Sequence, residues 1–181
     1  QASIKIDRKI KLPKIDFSKI KSWEPVPSDF LRGLSLATFI AGAASSKEAL
    51  SCIFISKDLI LACDNFRAIK ILLSSPFKFS VLIPSSFAKE LIKYRPVEVS
   101  PGEGWVHFKD AQGIIFSCRV SEEEYPVEKV SSLFKREGER IKLPKNFSKT
   151  IDRVQTLVSS EFEQDKFICL NLSRNKMVCI G

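Results

Sequence analysis

The chain has 181 residues, 44% hydrophobic and 28% charged, a globular composition with material for one large domain or one and a half smaller ones. Its 29 basic residues outnumber 21 acidic ones, and the net charge of +8 favours a polyanionic partner such as nucleic acid. No apolar run is long enough to cross a bilayer: the longest, around residues 34 to 44, is interrupted by Ser35 and Thr38.

Residues 1 to 12 alternate Ile4, Ile6, Ile10 and Leu12 with charges and predict an edge strand parted from its own domain. Residues 13 to 25 are polar, framed by prolines and anchored by Phe17 and Trp23, as suits a connector lying on a surface. A pattern then occurs three times: Pro27-Ser28-Asp29-Phe30, Pro84-Ser85-Ser86-Phe87 and Pro144-Lys145-Asn146-Phe147. Proline is tolerated where a helix opens, because its missing N–H would have no partner there, and a nearby Ser or Asn is expected to cap the free amides. The prolines stand roughly 57 to 60 residues apart, which implies an internal repeat of strand, helix and further strands.

The first predicted helix, about 28 to 44, is apolar nearly all round, with Gly33, Gly42 and several alanines permitting close packing. Strands are predicted at 50 to 55, 59 to 63 and 68 to 73. In the second helix Ala88, Leu91 and Ile92 share one face while Lys89 and Lys93 lie on the other. Strands at 97 to 99, 105 to 108 and 114 to 120 follow, with turns at Pro101-Gly102 and Asp110-Ala111-Gln112-Gly113. Residues 127 to 139 read as a charged linker with an apolar knot at Leu133 and Phe134. The third helix sets Phe147, Ile151, Val154 and Val158 against Lys145, Lys149 and Arg153, and a hairpin from 167 to 172 and 177 to 180 closes the chain. The orphan strand at the start and the unfinished third unit imply a piece of a longer protein. The predicted divisions are 1–15 (last strand of a preceding domain and start of a connector), 16–126 (one complete domain of two repeats) and 127–181 (linker and partial domain).

Taken together, four stretches resemble the bacterial DNA sliding clamp, the beta subunit of DNA polymerase III, or a phage relative of it. Leu12-Pro13-Lys14-Ile15-Asp16-Phe17 with Trp23 is similar to the family's connector between first and second domains. Leu61-Ala62-Cys63-Asp64-Asn65-Phe66-Arg67-Ala68 resembles its Ala-Thr-Asp-x-His-Arg-Leu segment, and Ile115-Phe116-Ser117-Cys118-Arg119-Val120 through Tyr125-Pro126 resembles its Phe-x-Ser-x-Leu segment followed by Phe-Pro. The Pro-x-x-Phe helix openings are the fourth.

The resemblance implies an α+β DNA clamp fold, with helices on one face of antiparallel sheets, and a processivity factor in DNA replication that encircles duplex DNA. Implied partners are double-stranded DNA, replicative DNA polymerase, the clamp loader and, by self-association of the intact protein into a ring, further copies of itself. It implies DNA-facing roles for Arg32, Lys89, Lys93, Lys145, Lys149 and Arg153, although Arg32 is nearly the only charge on its helix. It also implies a peptide-binding pocket from Leu50, Cys63, Asn65, Phe66, Arg67, Ala68 and, from the linker, Leu133 or Phe134. Phe66, Asn65, Cys63 and Ala68 each depart from the family's usual residue, which puts peptide preference apart from that of its relatives. These rings are usually acidic, whereas this chain is basic, so a clamp-fold adaptor that does not close a ring stays open as a reading, as does an unrelated nucleic-acid-binding module. Asp64-Asn65-Phe66-Arg67 also fits a plain tight turn with Arg67 paired to a carboxylate.

No pattern points to an enzyme, a metal or a cofactor. His107, the single histidine, sits between Val106 and Phe108 and is expected to point outward; no carboxylate or cysteine spacing around it suits a metal. A Cys118 and His107 nucleophile pair would lack an activating motif. Five cysteines without a CxxC read as free, mostly buried thiols in a reducing, cytoplasmic setting.

Overall fold

A computed structural model describes residues 17, 20, 22–41, 48–75, 77–157, 168–173 and 176–180. The strand expected at 1 to 12, Gly42, Val158 and the start of the last hairpin at 167 lie outside the described residues. The chain divides into two compact units that part between Arg136 and Glu137.

The first unit is α+β. Strand β1 (Glu24–Pro25) leads to helix α1 (Phe30–Ile40), a 3-10 turn (Glu48–Ser51) and strands β2 (Cys52–Ile55), β3 (Leu59–Cys63) and β4 (Ala68–Leu72). Then come β5 (Val81–Pro84), helix α2 (Ser85–Tyr94), β6 (Glu98–Pro101), β7 (Trp105–Lys109), β8 (Ile115–Arg119) and helix α3 (Val127–Leu133). Two antiparallel sheets run in the orders β4-β3-β2-β5 and β1-β6-β7-β8. The repeat read from the sequence is therefore present but interlocked. Strand β5, which introduces the second helix, belongs to the first sheet, and β1, which introduces the first helix, belongs to the second. A bond from the Ser121 amide to the Leu82 carbonyl (2.9 Å) ties the chain just past β8 to β5.

Helix α1 buries Phe30, Gly33, Leu34, Ala37 and Thr38, a spacing of three and four residues that defines one helical face. Helix α2 buries Ser85, Ala88 and Leu91. Both faces enter one core with Ile53, Ile60, Ile83, Val99, Val106 and Phe108. Phe108 on β7 lies between the helices, its ring 6.0 Å from that of Phe30 and 6.2 Å from that of Phe87. Gly33 lets α1 lie against the sheet: a Cβ there would stand 3.0 Å from Ile60 Cδ1 and 3.3 Å from Ile71 Cγ2.

Several expectations change. Helix α1 is shorter than predicted, and neither α1 nor α2 has a side-chain cap. Asp29 instead accepts from the amide and hydroxyl of Ser74 (2.8 and 2.9 Å), so a long-range pairing occupies the carboxylate that would otherwise accept from the helix's free amides. The linker at 127 to 139 contains α3, a helix too short to persist alone. Its Val127 and Val130 pack on the second face of the β4-β3-β2-β5 sheet with Cys52, Leu61, Cys63, Leu82 and Tyr125. Leu133 and Phe134 form no apolar knot: both are about half exposed.

His107 is only 3% exposed, contrary to the outward position expected of it. Strand alternation does turn it away from the core shared by Val106 and Phe108, but that second face is covered too. Phe17 of the connector packs with its ring 6.0 Å from the imidazole, and Ser117 Oγ lies 2.8 Å from Nδ1. Burial pulls the His107 pKa below its ordinary value. Nearby, Trp23 takes the Lys109 ammonium over its ring at 4.5 Å, and Lys109 pairs with Glu98 on the adjacent strand.

The second unit holds α4 (Phe147–Leu157) and an antiparallel hairpin of β9 (Cys169–Ser173) and β10 (Lys176–Ile180), with α4 packed on β10. Phe147, Ile151 and Val154 are partly buried, while Lys149 and Arg153 are exposed, as their helical spacing requires. No described helix is long and apolar enough to cross a membrane.

The close approach at Gly33 predicts that Gly33→Leu destabilises the protein by about 1–3 kcal/mol through overpacking against Ile60 and Ile71, outweighing its better helix propensity. Urea denaturation followed by circular dichroism checks this, and unchanged stability would remove the packing constraint.

Candidate functional site

The expected peptide-pocket residues all belong to the first unit. They occupy the 3-10 turn before β2 (Leu50), the end of β3, the start of β4 and the turn between them (Cys63 to Ala68), and the C-terminal end of α3 (Leu133 and Phe134). Cys63 is buried in the cluster that α3 covers, and Leu50 and Ala68 pack against it. Tyr125, missed as a contributor, stacks on Phe54 with ring centroids 5.6 Å apart and donates its hydroxyl proton to Cys63 Sγ (3.4 Å). Burial, reinforced by that bond, pushes the Tyr125 phenol well above its ordinary range. The signal for it was the Tyr-Pro pair before α3, a buried aromatic at the approach to a helix.

Asp64, Asn65, Phe66 and Arg67 form the turn between β3 and β4. Asp64 Oδ1 accepts from the amides of Phe66 (2.8 Å) and Arg67 (2.6 Å), and Oδ2 accepts from Arg67 Nε (2.9 Å) and Nη2 (2.7 Å). The tight turn is thus built by Asp64, which bonds its own backbone and is itself the carboxylate partner of Arg67. It is also compatible with display of a neighbouring side chain, for Phe66 is 94% exposed. Arg67 is held fork-like by Asp64 and lies 5.3 Å over the ring of Phe39 on α1. Phe39 is itself 75% exposed and was not singled out from the sequence. Its spacing from Arg32, Ser35 and Leu36 is the signal: the four make one exposed face of α1 that an impression of all-round apolarity conceals.

Of the expected DNA-facing residues, Arg32 is exposed on α1 and Lys89 and Lys93 are exposed on α2. Glu90 shares their face and pairs with Lys93 at 2.8 Å, an exposed contact of small energetic weight. Lys145 precedes α4, and it, Lys149 and Arg153 are exposed in the second unit.

A separate cleft of about 350 Å³ opens where the two sheets meet, lined by residues including Glu48, Ser51, Cys52, Arg119, Ser121 and Glu122; it shares none of the expected pocket residues. Cys52, Cys63 and Cys118 are buried free thiols. Burial raises the Cys52 pKa and pushes Cys118 up to about 12, the opposite of what nucleophilic thiolates need. Among the described residues no group of three or more His, Cys, Asp or Glu side chains is placed to hold a metal ion.

No family model and no curated protein sequence matches the chain. Solved structures do resemble it. A putative DNA polymerase III beta subunit from Eubacterium rectale superposes with a TM-score of 0.68 at 16% identity, over 93% of this chain and 48% of its own length. The DNA polymerase sliding clamp of Bacillus subtilis gives 0.62 at 19% identity, over 96% and 51%. The Helicobacter pylori beta clamp bound to a DNA ligase peptide gives 0.59 at 17% identity, over 84% and 45%. The chain has the sliding-clamp fold and spans about half the length of these structures.

Asp64 carries a pH prediction. Burial alone would raise its pKa, but the Phe66 amide, together with the guanidinium and amide of Arg67, outweighs burial and holds the carboxyl below its ordinary value. Its stabilising contribution is therefore complete above the unfolded carboxyl pKa of about 4 and fades as pH falls below that value. The stability gap between wild type and Asp64→Asn in urea titrations should accordingly be widest near neutrality and close in acid. A gap independent of pH would refute the ionic role of Asp64.

Proposed function

We propose that this chain, with the fold of a DNA sliding clamp, is a segment of a DNA polymerase III beta subunit or a phage relative, a replication processivity factor. In this reading the intact protein closes a ring around duplex DNA, by association with further clamp domains, and tethers replicative polymerase. The likeness to sliding clamps over nearly the whole chain is the observation that carries it.

Two features of the surface support the reading. Helices α1 and α2 pack side by side, and α2 turns Lys89 and Lys93 to solvent; α4 does the same with Lys149 and Arg153. Lysine and arginine on exposed helix faces meet phosphate without reading bases, so the attraction is loose, salt-dependent and compatible with movement along DNA. The second is the turn at 64 to 67, which presents a fully displayed phenylalanine and a positioned guanidinium beside the Leu50, Cys63 and Ala68 cluster. An apolar anchor beside a directional donor suits a short peptide from a polymerase or clamp loader. The ligase peptide on the Helicobacter pylori clamp supports a peptide partner of this kind. Such a protein performs no chemistry, needs no cofactor and works in the cytoplasm where DNA is copied.

The exposed face of α1 favours a second reading. It offers Leu36 and Phe39 where a DNA-facing helix would be basic, as a clamp-fold adaptor that binds proteins without closing a ring would do.

In the full-length protein, replacing Lys89, Lys93, Lys149 and Arg153 with Glu should reduce loading on nicked circular DNA. It should also make the salt dependence of binding shallower, by roughly 0.9 in log–log slope for each phosphate that these side chains no longer neutralise. Normal loading and an unchanged slope would sink the DNA-facing assignment. Equal retention of circular and linear DNA by the wild type would favour the adaptor. For the peptide site, Phe66→Ala with Arg67→Ala should weaken a polymerase-tail peptide by ~2 kcal/mol or more, about 30-fold, in isothermal titration. Unaltered affinity would remove the pocket.

A further inference from the structure

The C-terminal end of α2 carries an arrangement that a phosphate-only contact surface does not call for. Tyr94, the last residue of the helix, is 48% exposed, and its ring stacks on Phe116 of β8 with centroids 4.1 Å apart and planes 25° from parallel. Phe116 is partly buried and packs against the main core. One face of the tyrosine ring is thus seated on a rigid support, and its exposed surface is left for a partner.

Cationic residues adjoin Tyr94 in the chain. Lys93 precedes it and Arg95 follows it, both exposed, with exposed Lys89 one turn earlier. Arg95 has φ 48° and ψ 61°, the left-handed conformation that glycine adopts more cheaply than any residue with a Cβ. The positive side chains also oppose the partial negative charge at the end of the helix. Glu90, paired with Lys93, is the one acidic residue on the exposed face of α2.

We propose that Tyr94, backed by Phe116 and flanked by Lys93 and Arg95, is a stacking platform for an unpaired nucleobase, so that the protein engages single-stranded as well as duplex DNA. A nucleotide supplies both properties the platform selects: a planar π-face for the ring and a phosphate for the cations beside it. Base pairs inside a duplex keep their faces stacked on one another, which leaves an unpaired nucleotide as the occupant. The inference rests on α2 being a DNA-contacting helix and adds to it a class of ligand that phosphate attraction alone does not distinguish.

The test is fluorescence anisotropy of the 181-residue chain with a labelled oligothymidylate of about twenty nucleotides and a labelled duplex of the same length. Tyr94→Phe should bind both as wild type does. Tyr94→Leu keeps an apolar cover on Phe116 but has no ring face; it should lose roughly 5- to 150-fold in affinity for the single strand and keep its duplex affinity, which also shows that it is folded. Joint replacement of Lys89, Lys93 and Arg95 with Ala should weaken both ligands. If Tyr94→Leu binds the oligothymidylate as wild type does while the triple variant loses both ligands, the platform is overturned and the basic face stands. A wild type that binds neither ligand overturns both. Undiminished oligothymidylate binding together with altered self-association of Tyr94→Leu in sedimentation velocity would make the patch a protein contact and likewise overturn the platform.

Discussion

The exchange of one strand between the two repeats is the constraint on which the first unit depends. Neither repeat can complete a four-stranded sheet from its own residues, since β5 serves the first sheet and β1 the second. Each helix follows directly on the strand its repeat gives to the other sheet, so burying the apolar faces of α1 and α2 draws both sheets into one core. Phe108 embodies this: a strand residue from the second repeat stands between an aromatic of each helix. Because such a core is close-packed, the contact at Gly33 and the ring contacts at Phe108 set the positions of the helices, and thereby of everything on their exposed faces.

With the helices fixed on one side, the remaining faces of the two sheets differ in kind. The β4-β3-β2-β5 sheet is apolar on both sides, and α3 with Tyr125 covers its second face. The other sheet bears His107, Ser100 and Ser117 in one cross-strand row, with Phe17 against the imidazole. Buried polar groups are tolerable only when bonded, and the His107–Ser117 pair provides that. The apolar second face lies next to the exposed turn at 64 to 67, which joins a rigid support to a displayed aromatic. That combination of a fixed scaffold and an accessible loop recurs in binding surfaces generally.

Charge on this protein is distributed so that net values mislead at close range. The chain is +8 overall, yet Arg67 is held by Asp64 and Lys93 by Glu90. The positive charge that α2 presents is therefore smaller than its lysines alone would give, and the half-exposed ring of Tyr94 at its end adds an aromatic face. The long-range field and the local contact thus have separate sources: the first is spread over many lysines, the second over a few placed rings.

The sequence by itself determined the period of the repeat, the positions of α2 and α4, most of the strands, and the exposure of Lys89, Lys93, Lys149 and Arg153. Each of these follows from spacing along a few turns of chain, where the alternation of apolar and polar residues states which side of an element will be buried. It also carried the turn at Asp64, whose bonds are local. Only the tertiary structure decided the strand exchange, because β2 and β5 are equally apolar and local pattern does not name a strand's neighbour. The same holds for α3, too short to form without the sheet beneath it, for Asp29, drawn from its helix to Ser74 across 45 residues, and for the burial of His107 by Phe17. Local chemistry says which side of an element avoids water; what covers that side is settled by segments far away in the chain, and their approach is paid in conformational entropy that no local pattern records.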